Sequence, residues 1–124
     1  NTGSSFTNII DNSDYAGTAS KYLQLKNLPS AFYGYQYRCI VNNFLSIIAI
    51  SLKFISYWNG SVSKAWEDPA NWTCGNIPDA NTDVVIQSSS NTPEVNSMST
   101  CRSTSLTPGA TIKVKAGYKL NITH

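Results

Sequence analysis

Short stretches in which apolar and polar residues alternate predict strands that bury one face. In the first half of the chain, Leu23 and Leu25 alternate with polar neighbours. The next predicted strand has four residues on one face: Tyr35, Tyr37, Cys39 and Val41.

The second half alternates in shorter segments that are separated by turn glycines. Val84 and Ile86 define one strand face, and two further strands are predicted within residues 110–114 and 118–122. Gly109 and Gly117 punctuate these segments. Short strands that turn at glycine suit stacked coils, because each coil buries its inner face only against its neighbours.

A tryptophan-rich segment, residues 57–78, separates the two patterns. It holds all three tryptophans of the chain, Trp58, Trp66 and Trp72. We expect these large rings to bury against each other and to seal the end of a core. The patterns together predict two all-β pieces, residues 1–55 and residues 56–124.

Composition narrows the classes of partner. Charged residues make up 13% of the chain, and nine Lys and Arg against seven Asp and Glu give a net charge of +2. This charge is too small to indicate a nucleic-acid or membrane-surface binder. The longest apolar run, residues 44–55, is shorter than the roughly 20 residues that cross a bilayer, so no membrane insertion is predicted.

The segment LQLKNLPSAFYGYQYRCIVNN places Tyr37 two residues before Cys39, after a corner. This is the tyrosine-corner spacing of immunoglobulin-like sandwiches. The segment resembles the E strand, E–F corner and F strand of the Ig-like modules of secreted bacterial surface proteins, with SIIAISLKF as strand G. No upstream cysteine or tryptophan completes such a module. The resemblance therefore implies only its C-terminal half, a chain that is part of a longer protein, and a buried, free thiol at Cys39.

Three motifs follow one another in the second half: WNG from Trp58, WEDPANW from Trp66, and GNIPDANTDVVI from Gly75. Together they resemble the lead-in to β-helical or β-solenoid stalks of bacterial adhesin-like and autotransporter-like proteins. The resemblance covers about the last 68 residues. It implies an all-β fold in which partial Ig-like strands precede the capped start of a β-solenoid, and an extracellular or cell-surface location.

Three cysteines in a strand-rich chain of low charge suggest an oxidising compartment. Cys74 and Cys101 flank the first strand of the second half and its polar loop, and we predict a disulfide between them. Such a bridge would contribute about 3 to 4 kcal/mol under the chain-entropy model. A metal site would need more ligands than two cysteines and His124.

Candidate chemistry is sparse. Glu67 and Asp68 with Asp79 and Asp83 are close enough in sequence to suggest a glycosidase carboxylate pair, but both pairs lie in turn sequences, where Asp binds local amides. No catalytic residue and no cofactor are predicted. A weak alternative is a calcium site at Asp79, Asn81 and Asp83. These residues alternate oxygen ligands like the start of a calcium-binding loop, but the glycine and the distal glutamate of an EF-hand are missing.

The predicted function is a non-catalytic structural or adhesive module of a secreted or cell-surface bacterial protein. Its partner is left open between a surface glycan and another cell-surface protein. The alternative is a carbohydrate-binding module of a polysaccharide-active enzyme, with Trp58, Trp66 and Trp72 as the platform. A glycosidase is a third hypothesis, taken from the β-helical families that the chain resembles. Solvent exposure of the three rings distinguishes the first two hypotheses.

Overall fold

A computed structural model describes residues 5–45 and 48–124. Within them the secondary structure consists of thirteen short strands and two 3₁₀ turns, Ser30–Phe32 and Pro69–Asn71. The predicted all-β fold class is confirmed. No helix among these residues is long and apolar enough to cross a membrane. The chain divides into two compact units, Asn1–Lys53 and Phe54–His124.

The described residues of the first unit form three antiparallel pairs of two-residue strands. The pairs are β1 with β2, β3 with β6, and β4 with β5. A tight turn with positive φ at Asn42 and Asn43 joins β4 to β5. The strands are β1 (Tyr15–Ala16), β2 (Gln24–Leu25), β3 (Gln36–Tyr37), β4 (Ile40–Val41), β5 (Phe44–Leu45) and β6 (Ile50–Ser51).

This unit departs from the predicted strand faces. Leu23 and Leu25 are exposed. The predicted strand over residues 35–41 is broken, because β3 pairs with β6 whereas β4 pairs with β5. Cys39 lies between these two sheets and is exposed, so its predicted burial is wrong. Two-residue strands with one partner each offer no second layer to cover these side chains. Part of the predicted strand SIIAISLKF, residues 46–47, lies outside the described residues.

The strands of the second unit pair in parallel. β7, β8 and β11 form one sheet with β8 in the centre, β9 pairs with β12, and β10 pairs with β13. A parallel bridge between Ala65 and Glu94 extends the second ladder. The strands are β7 (Ile55–Trp58), β8 (Asp83–Ile86), β9 (Glu94–Val95), β10 (Met98–Cys101), β11 (Ser103–Leu106), β12 (Lys113–Val114) and β13 (Lys119–Ile122).

The register stacks inward-facing residues of successive strands into columns. Trp58, Ile86 and Leu106 occupy equivalent positions in β7, β8 and β11. The predicted inward face of Val84 and Ile86 is confirmed, since both are buried. The buried hydrophobic core among the described residues consists of Trp58, Trp66, Trp72, Val84, Ile86, Val95 and Cys101, with Ala110, Ile112 and Leu120 packed against it.

The last strand of each ladder is covered on one side. Leu106, Val114 and Ile122 are 48%, 47% and 50% exposed. Their partners one strand earlier are Ile86, Val95 and Cys101, all buried. In all three ladders, the exposed residue therefore lies in the later strand and its buried partner in the earlier one.

Candidate functional site

The three tryptophans form one buried cluster in the second unit. Trp58, Trp66 and Trp72 are 1%, 0% and 2% exposed. The Trp72 ring meets the other two edge-on, with centroids 5.1 Å from Trp58 and 4.6 Å from Trp66. Edge-to-face contact at these distances is a favoured arrangement of aromatic rings. The rings bury against each other as the sequence predicts.

The burial of the three rings argues against the carbohydrate-binding alternative. A sugar stacks on an open ring face, and none of the three rings presents one. The burial therefore excludes Trp58, Trp66 and Trp72 as a sugar platform in the folded chain. Two indole N–H groups instead bind backbone carbonyls: Trp72 Nε1 donates to Trp66 O at 2.8 Å, and Trp58 Nε1 donates to Asn91 O at 2.7 Å.

A 3₁₀ turn carries the chain from Trp66 to Trp72. Asp68 precedes it, and its Oδ1 accepts a hydrogen bond from Ala70 N at 3.0 Å. Pro69 occupies the first position of the turn, where its missing N–H costs nothing and its fixed φ is suitable. The turn places Trp72 directly beside β7, where it forms an antiparallel bridge to Trp58.

The buried Asn71 side chain fastens the neighbouring loop. Its Oδ1 accepts hydrogen bonds from Val62 N and Ser63 N, both at 3.0 Å. Its Nδ2 donates to Ser63 Oγ at 2.9 Å and to Ala65 O at 3.0 Å. Two acceptor and two donor positions are the full capacity of an amide side chain. Asn71 therefore holds residues 62–65 against the tryptophan cluster.

Residues 71–74, which we call the edge cover, run along the side of β7 that β8 does not occupy. Asn59 N donates to Asn71 O at 2.9 Å, and Thr73 N donates to Tyr57 O at 3.0 Å. Tyr57 N in turn donates to Thr73 Oγ1 at 3.0 Å. An unpaired strand edge is a template for pairing with another chain. The edge cover occupies these groups of β7 with the chain's own atoms.

The cysteines do not form the predicted bridge. Cys39, Cys74 and Cys101 are all free thiols. Cys101 is buried in β10, and its Sγ lies 3.2 Å from Thr104 Oγ1. Cys74 is exposed in the edge cover, where its Sγ contacts Ile55 O at 3.5 Å. Cys74 thus lies in a turn beside β7, whereas Cys101 is part of β10. Burial raises the pKa of the Cys101 thiol, and the charge of Asp83 adds to this, whereas the Thr104 hydrogen bond opposes it.

The residues of the calcium alternative bind protein groups. Asp79 Oδ1 accepts from Asn81 N at 2.9 Å and from Thr82 Oγ1 at 2.8 Å, which holds a turn. Asp83 Oδ1 forms an ion pair with Arg102 at 2.9 Å. In the part of the chain that the structure describes, no group of three or more His, Cys, Asp or Glu residues could hold a metal ion.

Glu67 and Asp68, the other acidic pair, also bind protein groups. Glu67 Oε1 accepts from Asn96 N at 2.7 Å and from Ser97 Oγ at 2.8 Å. Glu67 thereby fixes the short connection between β9 and β10, while Asp68 caps the 3₁₀ turn. The contact of Asp68 with Ala70 N agrees with the turn interpretation, whereas Glu67 binds groups 29 and 30 residues away.

Two residues central to this site were not predicted from the sequence. The sequence places Asn71 in the WEDPANW motif and indicates no role for Asn91. The backbone carbonyl of Asn91 accepts a hydrogen bond from the Trp58 indole N–H, and its side-chain Nδ2 donates to Gly60 O at 2.7 Å. The local sequence signal for Asn71 is its position directly before Trp72. The side-chain partners of Asn71 lie 6 to 9 residues away along the chain, whereas the Asn91 contacts reach back 31 and 33 residues, to Gly60 and Trp58.

A family model described as Domain of unknown function (DUF8693) matches residues 57–124. The chain belongs to this family. A search of curated proteins and a search of solved structures gave no significant match. The DUF8693 region contains the tryptophan cluster, the edge cover and nearly all of the parallel ladders, so the family match and the buried core describe the same part of the chain.

Proposed function

We propose that this chain is a non-catalytic structural or adhesive module of a secreted or cell-surface bacterial protein. Its DUF8693 region would form the capped first coils of a β-solenoid. The observation that carries the proposal is the in-register parallel pairing of β7 with β8 and of β8 with β11. Parallel neighbours need a crossover connection rather than a hairpin, and a coil supplies one.

Two further ladders support successive coils. The segment from β8 to β10 and the segment from β11 to β13 each contribute one strand to each of three ladders. Glu94 also lies between two lysines of the following coil, with its carboxylate 4.0 Å from Lys113 Nζ and 3.8 Å from Lys115 Nζ. Stacking of equivalent positions is how a solenoid buries its inner faces.

The N-terminal end of the stack supports a capping role. The tryptophan cluster fills the core beside β7, and the edge cover occupies the outer side of that strand. A terminal repeat of a solenoid needs such protection to remain soluble. The proposed role of residues 57–74 is therefore to end the sheet and to exclude further strands.

For the first unit, we propose the C-terminal half of an Ig-like module. The support is the antiparallel pairing of β3 with β6, which corresponds to the F and G strands of the resemblance. The alternative carbohydrate-binding function keeps no support from the tryptophans, because their ring faces are covered.

The capping role is tested by Asn71→Ala, which removes the four hydrogen bonds of this side chain. We expect faster hydrogen exchange at the amides of Tyr57 and Asn59 and greater self-association in sedimentation velocity. Asn121→Ala, at an exposed position of β13, is the matched control and should change neither measurement.

A second variant tests the same strand edge in case Asn71→Ala unfolds the protein. Thr73→Val keeps the side-chain shape and removes the acceptor for Tyr57 N. If either variant opens the edge of β7 in hydrogen exchange without any increase in self-association, the edge cover does not protect that edge and the proposed capping role fails.

A further inference from the structure

A cleft of about 330 Å³ lies in the first unit, lined by residues 5–9 together with residues of β1 and β3. Its volume is at the lower end of the range of small-molecule sites, about 300 to 1,000 Å³. The cleft walls combine aromatic, amide and cationic groups. The aromatic, amide and cationic groups of the lining include Phe6, Asn8, Tyr15, Tyr35, Tyr37 and Arg38.

Three tyrosines give the cleft an aromatic wall that is half-buried and therefore still partly open. The rings of Tyr15 and Tyr37 are tilted by 58° with centroids 6.1 Å apart, and their hydroxyl oxygens lie 3.3 Å from each other. Burial raises the pKa of Tyr37, and the hydrogen bond with Tyr15 adds to the shift. The phenol thus stays neutral at physiological pH and can both donate and accept hydrogen bonds.

Arg38 is the charged residue of the cleft wall. Its guanidinium carbon lies 3.9 Å from the centroid of the Phe6 ring. A guanidinium held over a ring face still has N–H donors at its edge, and their planar fork matches a carboxylate. Among the described residues, no Asp or Glu forms an ion pair with Arg38.

The charges of the first unit also favour an anionic ligand. The first unit carries four basic residues, Lys21, Lys26, Arg38 and Lys53, against two acidic residues, Asp11 and Asp14. The second unit carries five of each sign. The formal net charge of +2 therefore belongs to the unit that contains the cleft, and an anionic ligand is attracted to it.

We propose that this cleft binds an anionic saccharide, a sugar unit of one or two rings that carries a carboxylate. The C–H face of a sugar packs on tyrosine rings, its hydroxyls pair with Tyr15, Tyr37 and Asn8, and its carboxylate pairs with Arg38. An apolar ligand would leave the Arg38 guanidinium without an anionic partner. The inference is independent of the proposed solenoid, since the cleft lies in the other unit.

The experiment is an NMR titration of the intact chain with cellobiouronic acid, with cellobiose as the neutral probe of matched size. We expect saturable shifts at the amides of Tyr15, Tyr37 and Arg38 with the acid, and at least about tenfold weaker binding of cellobiose, since a charge-assisted hydrogen bond is worth that much. Absence of saturable shifts with the acid, or equal affinity for both sugars, overturns the proposal.

Two pairs of variants locate the site. Arg38→Gln should weaken acid binding at least about tenfold, whereas Lys53→Gln, which removes an equal charge outside the cleft, should have little effect. Tyr37→Phe should weaken binding about threefold or more, whereas Tyr22→Phe should not. If Arg38→Gln disturbs the fold through its contact with Phe6, Tyr37→Phe keeps the ring and carries the test. Unchanged affinity in Tyr37→Phe and in a folded Arg38→Gln variant refutes the assignment.

Discussion

At the scale of single residues, Gly60 is the most crowded glycine of the second unit. Its φ is 55°, a left-handed value that disfavours side chains. A Cβ atom there would lie 2.8 Å from Trp58 Nε1 and 2.9 Å from Asn91 O. These two atoms form the hydrogen bond that anchors the Trp58 indole. Glycine is therefore required for conformation and for space.

Gly60→Ala is expected to lower the free energy of unfolding by more than Gly75→Ala, its matched control. Gly75 has a similar φ of 64°, but an added Cβ would meet nothing within 4 Å. The control should lose about 1 to 2 kcal/mol for backbone strain, and Gly60→Ala should lose about 1 to 3 kcal/mol more for overpacking. Urea unfolding followed by tryptophan fluorescence measures both. Equal losses would mean that the Trp58 and Asn91 contacts adjust freely.

At the scale of elements, β8 is the central strand of the largest sheet. It pairs with β7 on one side and with β11 on the other. Its burial alternates, with Val84 and Ile86 buried and Asp83 and Val85 half-buried. Asp83 adds a cross-link, because its ion pair with Arg102 ties β8 to the residue that precedes β11.

Alanine substitutions at two adjacent positions of β8 separate burial from strand propensity. Val84→Ala should lower the free energy of unfolding by about 2 kcal/mol or more, because it leaves a cavity in the core. Val85→Ala loses the same intrinsic β propensity but little burial, and should cost less than about 1 kcal/mol. Chemical denaturation of both variants checks the difference. A larger loss at Val85 would mean that β8 presents its opposite face to the core.

At the scale of the whole molecule, the two units differ in how much they bury. Each buried hydrophobic residue among those described lies in the second unit. In the first unit, large apolar residues such as Phe44 and Ile50 are exposed. Exposed apolar faces and unpaired strand edges recruit other chains, so we expect self-association at high concentration.

Hydrogen exchange of the intact chain should therefore be slower in residues 57–114 than in residues 21–54. The difference should reach at least about tenfold, and β8 should be slowest, because local opening is hardest where strands pair on both sides above a buried core. The measurement needs a sample shown by light scattering to be monomeric. Slower exchange in residues 21–54 would mean that the first unit is the more stable one.

The disulfide prediction shows one limit of arguing from the sequence. The spacing of Cys74 and Cys101 allowed a bridge, but a spacing along the chain contains no distance in space. The edge cover directs Cys74 to the outer side of β7, and the register of β10 turns Cys101 into the core. Both directions are set by pairing between segments that are remote in sequence.

By itself the sequence determined the all-β class, the inward face of β8 and the mutual burial of the tryptophans, because local alternation and large apolar rings act within a few residues. Only the tertiary structure decided the exposure of Cys39 and of Leu25, the four hydrogen bonds of Asn71, and the aromatic cleft around Arg38. Each of these depends on which other segment comes to lie beside the residue, and for Asn71 that segment is the loop 6 to 9 residues earlier in the chain. A two-residue strand or a single amide side chain carries too little local preference to select that neighbour.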